Sequence, residues 1–318
     1  ETGAAADANL LQPGTPEFDA ANSSAQSLTL NNPGAGSRIQ DLSKVYNYEV
    51  DYDFGNKFDF GKVIVGASYR NYVLDTGGTL YTDADGPSEY YDYGAYAQVK
   101  TDLFDDFVSL TGSLRYDKQE VIDVGNVTPR LGLVFNLNDK QNLRISAQQG
   151  FRNPTNQDKF IGYDNTFNVI LGGVKSNIER FNKTLTLRNG ETYTFTGQYV
   201  LDNAVEKSDA SASNLGYVKA ETVTMLEMGY RFNSPGFTVD ASAYFSSIKD
   251  KIAGRYVDVP VLTSTLSTPA AAVAAGSYYD FQVDSKFNET FSAYVFSVEA
   301  TGFLTNGLFA NVIYEYNE

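Results

Sequence analysis

Apolar and polar residues alternate along most of this chain, in ten segments of eleven to fifteen residues. Successive side chains of a β-strand point to opposite faces, so this alternation predicts strands with one apolar and one polar side. In the fourth segment, for example, Val108, Leu110 and Leu114 alternate with Ser109 and Thr111. The ten predicted strands are residues 42–54, 60–74, 90–104, 107–119, 127–137, 141–151, 221–232, 237–250, 290–303 and 307–317.

The connections between the predicted strands are alternately short and long. The short connections lie around Asn56, Asp105, Asn138, Pro235 and Asn306. Tight turns at one rim of an antiparallel sheet and long loops at the other rim are typical of outer-membrane β-barrels, with turns in the periplasm and loops outside. We therefore predict an all-β chain with a single domain over residues 1–318, a partial transmembrane barrel. Its extracellular loops are residues 1–41, 152–220 and 251–289.

A period of two also fits a soluble sandwich or a soluble barrel. Strand length favours the membrane barrel, because soluble strands most often have about five or six residues and tilted transmembrane strands need roughly nine to eleven. Phenylalanines recur beside the short turns, at Phe54, Phe58, Phe104, Phe107, Phe135, Phe232, Phe237, Phe303 and Phe309. Such a row predicts an aromatic girdle at the inner interface, although apolar closures of ordinary hairpins would give the same row.

The composition excludes several kinds of chemistry. The 318 residues contain no cysteine and no histidine, which removes disulfides, thiolate metal sites and the commonest general base. No nucleophile with a matching base is evident, so we predict that the chain is not an enzyme and needs no cofactor. The net charge of −15 argues against a nucleic-acid partner. No apolar run is long enough for a transmembrane helix.

A weak metal-binding pattern occurs in the first long connection, between the second and third predicted strands. Asp83, Asp85 and the nearby Glu89 resemble the start of a calcium loop, but the full twelve-residue spacing is missing. An ordinary acidic turn is the alternative.

The first residues show neither a starting Met nor a signal peptide, and the last residues look like the end of a strand. The chain therefore reads as part of a longer protein.

A group of short motifs resembles one protein family. Residues 150–158, Gly-Phe-Arg-Asn-Pro-Thr-Asn-Gln-Asp, resemble the Phe-Arg-x-Pro-Thr pattern in the barrels of TonB-dependent outer-membrane receptors. Residues 128–133 resemble the preceding strand of that family. Residues 219–221 and 227–231 resemble its Lys-Pro-Glu and Glu-x-Gly-x-Lys/Arg patterns, with Ala220 in place of the usual proline. The resemblance covers roughly Val127 to Gly254, and the flanking strands agree in pattern and not in motif.

The resemblance implies a function and partners. Residues 171–173 and 252–254 are most similar to receptors of Bacteroidota that carry a carboxypeptidase-like regulatory domain before the plug. A barrel of about twenty-two strands would enclose a plug that is absent from this chain. Such a receptor, in the outer membrane of a Gram-negative bacterium, imports a siderophore, cobalamin, oligosaccharide or peptide, driven by the TonB-ExbB-ExbD motor. Outer-membrane lipid and lipopolysaccharide would surround it, and a surface lipoprotein is a further candidate partner.

Charged residues on the predicted lumen face are candidates for contact with the plug or the ligand. They are Arg115, Arg130, Arg144, Glu227 and Arg231, with Arg152 at the mouth of the longest loop. Charges buried against a plug need partners, whereas charges in an open lumen would be solvated by water. A passive porin-like or adhesin barrel without a plug is the competing hypothesis.

Overall fold

The computed structural model describes residues 10–31, 36–286, 290–305 and 308–317, and its largest sheet is antiparallel with ten strands. With strands numbered in chain order, the large sheet contains β1 (Lys44–Asp53), β2 (Lys62–Leu74), β3 (Ser88–Leu103), β4 (Val108–Gln119), β5 (Asn126–Asn138), β6 (Gln141–Arg152), β12 (Glu221–Ser234), β13 (Phe237–Lys249), β16 (Phe291–Thr305) and β17 (Leu308–Asn317). These are the ten predicted strands, each bounded within two residues of its predicted ends.

The strands follow one another in chain order, and all their pairings are antiparallel. Within the described residues the sheet does not close on itself, because β1 and β17 form its two edges. The predicted fold class is confirmed. The predicted turn at Asn306 lies outside the described residues, as do residues 1–9, 32–35 and 287–289 of the predicted loops.

The strand register gives the sheet one continuous apolar face. Leu131, Ala147, Leu226, Phe245 and Tyr294 lie side by side on five consecutive strands. Several of these apolar side chains are exposed in this chain, as expected of a surface that meets a partner or a lipid phase rather than a core. The opposite face, called here the polar face, carries most of the charged side chains of the strands.

The two longest connections fold together into a second unit, defined here as the lobe (residues 153–220 and 251–286). The lobe contains β7 (Gly162–Asp164), β8 (Val169–Leu171), β9 (Asn182–Thr186), β10 (Thr192–Thr196), β11 (Val205–Glu206), β14 (Ile252–Pro260) and β15 (Tyr278–Lys286). The helices of the described chain are α1 (Pro16–Ser27), α2 (Asn156–Phe160), α3 (Lys175–Arg180), α4 (Gly197–Asn203) and α5 (Pro269–Ala274). Five strands of the lobe form a sheet in the order β11-β14-β15-β8-β7, and β9 pairs with β10.

The lobe has its own core of buried apolar side chains. Val169, Phe195, Val200, Val257 and Phe281 are each 0% exposed. The sequence predicted connections here without internal strands or helices, because the lobe strands are short and their apolar residues cluster instead of alternating over long stretches. Among the described residues, no helix has the length and apolar character to cross a membrane.

A second buried cluster joins the lobe to the sheet. Its members are Leu74, Tyr81, Tyr90, Ile122, Phe160, Val174, Val218 and Ile252. Leu74 and Tyr90 lie at the long-loop ends of β2 and β3, whereas Phe160 and Val174 belong to the lobe. The lobe leaves the sheet at β6, β12 and β13, yet it packs against strands near the other edge. It therefore reaches across the polar face at the long-loop rim.

Candidate functional site

The polar face carries most of the predicted site residues, and Arg115 is bound there within a group of polar side chains. Its guanidinium donates two hydrogen bonds of 2.7 Å to the carboxylate of Asp117, two residues along the same strand. It also lies 5.8 Å from the ring centroid of Tyr96. Tyr96 in turn donates a hydrogen bond of 2.8 Å to Asp51 on β1. These four residues form one lateral chain across four strands.

A second charged group lies nearer the short-turn rim. Arg144 on β6 contacts the carboxylate of Asp240 on β13 at 3.1 Å. Arg231 on β12 lies 4.0 Å from the other oxygen of the same carboxylate. The carboxylate of Asp240 thus interacts with two of the predicted arginines on the polar face of the sheet.

Arg130 and Glu227 differ from the other predicted residues, since neither has an ion pair within the described part of the chain. Arg130 lines a cleft of about 200 Å³ together with Arg115, Gln98 and Gln149. Glu227 lies opposite Ser146 in the neighbouring strand. These two charged groups are available to something that occupies the space in front of the polar face.

Arg152 lies where the chain leaves the sheet for the lobe. It faces Glu221 in the β6–β12 register and donates two hydrogen bonds of 2.8 Å to that carboxylate. Glu221 also accepts a hydrogen bond from the backbone N–H of Ile252, where the chain re-enters the lobe. The Arg152–Glu221 pair and the bond to Ile252 therefore join three of the four points where the chain passes between the sheet and the lobe.

The motif after Arg152 builds a short helix that carries a buried amine. Thr155 and Asp158 cap α2 reciprocally, with hydrogen bonds of 2.7 and 3.1 Å. The helix directs Lys159 to the polar face, where its Nζ donates to Tyr90 Oη at 2.6 Å and to Gln119 Oε1 at 3.2 Å. Lys159 is 2% exposed, and this burial lowers its pKa to about 7.

Lys159 is not among the residues that the sequence predicted for the site. The Thr-x-x-Asp spacing was a readable signal for the helix start, but nothing in the local pattern shows that the helix folds back against β3 and β4. Tyr72 stacks on Tyr90 with ring centroids 4.5 Å apart, so the amine lies beside two parallel aromatic rings. A buried cation is tolerated better beside aromatic faces than beside aliphatic groups.

The connection between β2 and β3 is tied to the lobe as well. Asn177 of α3 is 0% exposed; its amide donates to the carbonyls of Ile161 and Gly172, and its Oδ1 accepts from Thr82 Oγ1 at 2.6 Å. The lobe is therefore held by side-chain hydrogen bonds in addition to apolar packing.

Asp83, the first residue of the weak calcium pattern, is buried in this connection. Its carboxylate accepts hydrogen bonds from the backbone N–H and hydroxyl of Thr76 and from the N–H of Gly78. Asp85 and Glu89 are exposed. Among the described residues, no group of three or more acidic side chains is placed to hold a metal ion. The calcium site stays a prediction, and Asp83 has a structural task in the turn.

Ion pairs stabilise the lobe sheet itself. Lys207 lies between Asp258 and Asp280, which face each other across β14 and β15, and Arg188 binds Asp280 from the other side at 3.0 Å. Burial raises the pKa of Asp284 to about 7, and the nearby carboxylate of Asp158 adds to the effect. The charged and polar groups described above can bind and position a ligand or a partner.

Comparison with known proteins assigns a family. The sequence model of the family described as TonB dependent receptor-like, beta-barrel matches residues 7–312. This family comprises outer-membrane receptors and not enzymes, in agreement with the prediction that the chain is not an enzyme. No curated protein sequence matches the chain.

Solved structures share the fold. A mutant of the ferric enterobactin receptor PfeA from Pseudomonas aeruginosa is 14% identical with a TM-score of 0.57; the match covers 90% of this chain and 37% of that one. The siderophore receptor PirA from Pseudomonas aeruginosa is 16% identical with a TM-score of 0.52, covering 86% of this chain and 41% of that one. The chain thus spans well under half the length of these receptors, and identities this low show the fold alone.

Proposed function

This chain belongs to the TonB-dependent receptor β-barrel family, and from that membership we propose that its parent protein imports a scarce solute across the outer membrane of a Gram-negative bacterium. The observation that carries the proposal is the ten-strand antiparallel wall with one apolar and one polar face, matched by the family over residues 7–312. We further propose a receptor of the Bacteroidota type, with a regulatory domain before its plug. This finer assignment is supported by residues 171–173 and 252–254.

Two rows of aromatic side chains support the placement of the sheet in a membrane. At the short-turn rim, Phe54 packs on Phe58 and Phe107 packs on Phe135. The side chains of Phe303 and Phe309 lie outside the described residues. At the long-loop rim a second row of exposed tyrosines occurs, formed by Tyr46, Tyr48, Tyr69, Tyr91, Tyr93 and Tyr116.

The spacing of the two rows fits a hydrocarbon layer. Tyr116 on β4 lies nine residues after Phe107, which directly precedes that strand. At about 3.3 Å per residue and a tilt of roughly 40°, this separation is about 23 Å along the membrane normal, close to the ~25 Å apolar band of such barrels. Within the described strands, the apolar face carries charges only near the long-loop ends, at Lys44, Glu89, Lys118 and Lys249.

The two open edges support the existence of further strands. Unpaired backbone groups of β1 and β17 cannot be left in hydrocarbon, because no water is there to bond them. We propose that other strands of the parent protein complete a barrel of about twenty-two strands around a plug. The plug would be pulled by the TonB-ExbB-ExbD motor, and the polar face would line the lumen.

The unpaired charges on the polar face are the candidates for contact with the plug or the solute. Arg130 and Glu227 have no ion pair among the described residues, whereas Arg115, Arg144, Arg152 and Arg231 are paired within the wall. The lobe packs against the sheet at the long-loop rim. We propose that the lobe's solvent side meets the solute first, with lipopolysaccharide around the barrel and a surface lipoprotein as a candidate partner on the lobe.

The solute class is open among siderophores, cobalamin, oligosaccharides and peptides. Ferric siderophores are the first class to test, since PfeA and PirA are named for them. The experiment is uptake of a labelled ferric siderophore by cells that carry or lack the full-length protein, with and without TonB. The proposal predicts uptake only in cells that have both the full-length protein and TonB. Uptake that persists without TonB would favour the passive porin-like barrel.

A further inference from the structure

Three glycines on the polar face are buried although that face is open. They are Gly66 on β2, Gly94 on β3 and Gly229 on β12. Gly132, which lies on the same face of β5, is only half-buried. The difference has a direct cause, because long polar side chains from neighbouring strands lie flat over the first three glycines and leave Gly132 uncovered.

The first glycine lies beneath a tyrosine. In the strand register, Asp51 is beside Gly66, and Gly66 is beside Tyr96. Tyr96 crosses the glycine and donates its hydroxyl to Asp51 at 2.8 Å, two strands away. A Cβ at position 66 would collide with the Tyr96 ring and with the Asp51 carboxylate. The hydrogen bond therefore depends on the missing side chain.

The same arrangement recurs at the other end of the sheet. Arg144 on β6 lies beside Gly229 on β12, crosses it and reaches Asp240 on β13 at 3.1 Å. A Cβ at position 229 would be 2.9 Å from Nε and Nη2 of Arg144. In both cases a long polar side chain, a glycine and a carboxylate lie on three successive strands.

The third glycine lies beneath a bound pair on a single strand. Gly94 is beside Asp117 in the β3–β4 register, and a Cβ at position 94 would collide with that carboxylate and be 3.0 Å from the Arg115 guanidinium. Arg115 and Asp117 therefore pair flat against the wall over the glycine. Gly94 thus serves the same purpose as Gly66 and Gly229.

We propose that Gly66, Gly94 and Gly229 form recesses in the polar face of the sheet. In these recesses the overlying polar side chains lie flat and pair with side chains of the same sheet. A plug that fills the lumen can then move out without breaking these pairs. This role rests on the proposed function, in which a plug moves. Charges paired within the wall need no partner on the plug, and side chains that lie flat do not obstruct its path. A Cβ in a recess would tilt the overlying side chain into the lumen, since the colliding atoms belong to the movable ends of side chains.

The test uses the full-length protein with Gly66→Ala, and Gly132→Ala as the matched control. A Cβ at position 132 would meet only the Thr111 carbonyl oxygen, at 3.9 Å. In Gly66→Ala we expect cryo-electron microscopy to show the Tyr96 ring turned into the lumen. We also expect TonB-driven uptake to fall several-fold. The affinity for the solute, measured while energy is withheld, should be unchanged. The control should match the unmodified protein in all three measurements.

A second variant keeps the test informative if Gly66→Ala folds poorly. Adding Tyr96→Ser removes the overlying ring, so the double variant should regain most of the uptake. A Tyr96 ring that stays flat in Gly66→Ala, or uptake that stays low in the double variant, would overturn the proposal. If the unmodified protein shows no TonB-driven uptake, the proposed function fails, and the orientation of Tyr96 still decides whether Gly66 is a recess.

Discussion

Lys159 shows how much a single side chain can depend on its surroundings. Its amine is enclosed by Tyr90, Gln119 and the Tyr72 ring, and within the described chain it makes no ion pair. The nearest acidic groups that act on it are Asp92 on β3 and Asp158 on its own helix. Burial without a bound carboxylate disfavours the charged form, so the amine loses its proton far more easily than in solution.

This environment makes the contact between the lobe and the sheet sensitive to pH. The folded pKa is about 7, well below the ordinary lysine value, so at intermediate pH the undocked state binds the proton that the docked state has lost. Docking should therefore strengthen as pH rises from about 7 to about 10, by up to about 1.4 kcal/mol per pH unit. Hydrogen exchange at the backbone amides of residues 156–160 measures the stability of this docking, and Lys159→Met should remove its dependence on pH. An unchanged pH profile in that variant would assign the effect to another group.

Asp83 allows the structural and calcium hypotheses to be separated. Replacing it by Ala leaves the N–H groups of Thr76 and Gly78 without an acceptor, which we expect to cost about 1–3 kcal/mol and to expose the β2–β3 connection to protease. Asp85→Ala is the control, because Asp85 is exposed. If instead both variants lower calcium affinity in a calorimetric titration, a calcium site exists here.

At the scale of elements, α3 shows how a six-residue helix can hold the lobe in place. Asn177 has all its hydrogen-bonding groups buried, bound to Ile161, Gly172 and Thr82. The adjacent Ser176 has a buried hydroxyl with no partner among the described atoms. Two neighbouring polar residues on one helix therefore have opposite energetic roles.

Substitutions at these two positions should have opposite effects on the lobe. Asn177→Leu leaves the Gly172 carbonyl and the Thr82 hydroxyl without this partner, whereas the Ile161 carbonyl keeps the hydrogen bond from Gly172 N–H. A buried group that loses its partner costs about 1–3 kcal/mol, so the lobe should unfold at lower denaturant than the barrel. Ser176→Ala removes an unpaired hydroxyl and should be neutral or stabilising. Limited proteolysis in urea would measure both. Equal effects of the two variants would contradict this account of the hydrogen bonds.

At the scale of the whole molecule, the two faces of the sheet should respond differently to the same charge. Leu226 lies near the middle of β12 on the apolar face, with 49% of its surface exposed. A lysine there should cost about 2–4 kcal/mol in a bilayer, because it faces hydrocarbon near the midplane. The full-length protein refolded into lipid vesicles would show this in its free energy of unfolding.

Ser146→Lys is the matched control for Leu226→Lys. Ser146 lies on the polar face of the next strand, directly opposite Glu227, so the new ammonium group would gain an acidic neighbour. We expect this variant to fold as well as the unmodified protein. Similar costs for both variants would argue against a lipid-facing apolar side.

The sequence by itself determined the ten strands, their faces and the alternation of short and long connections. Each of these features is a local property, since a period of two fixes which side chains share a face before any partner strand is known. The family motif at residues 150–158 was equally readable. Even the capping pair Thr155 and Asp158 could be recognised from spacing alone.

Only the tertiary structure decided the lobe, the burial of Lys159 and the recesses at Gly66, Gly94 and Gly229. The lobe core joins residues as distant as Val169 and Phe281, which no local period can bring together. The role of Gly66 depends on the register that places Asp51 on one side and Tyr96 on the other. Local alternation fixes the direction of a side chain, whereas its neighbours on adjacent strands follow from long-range pairing.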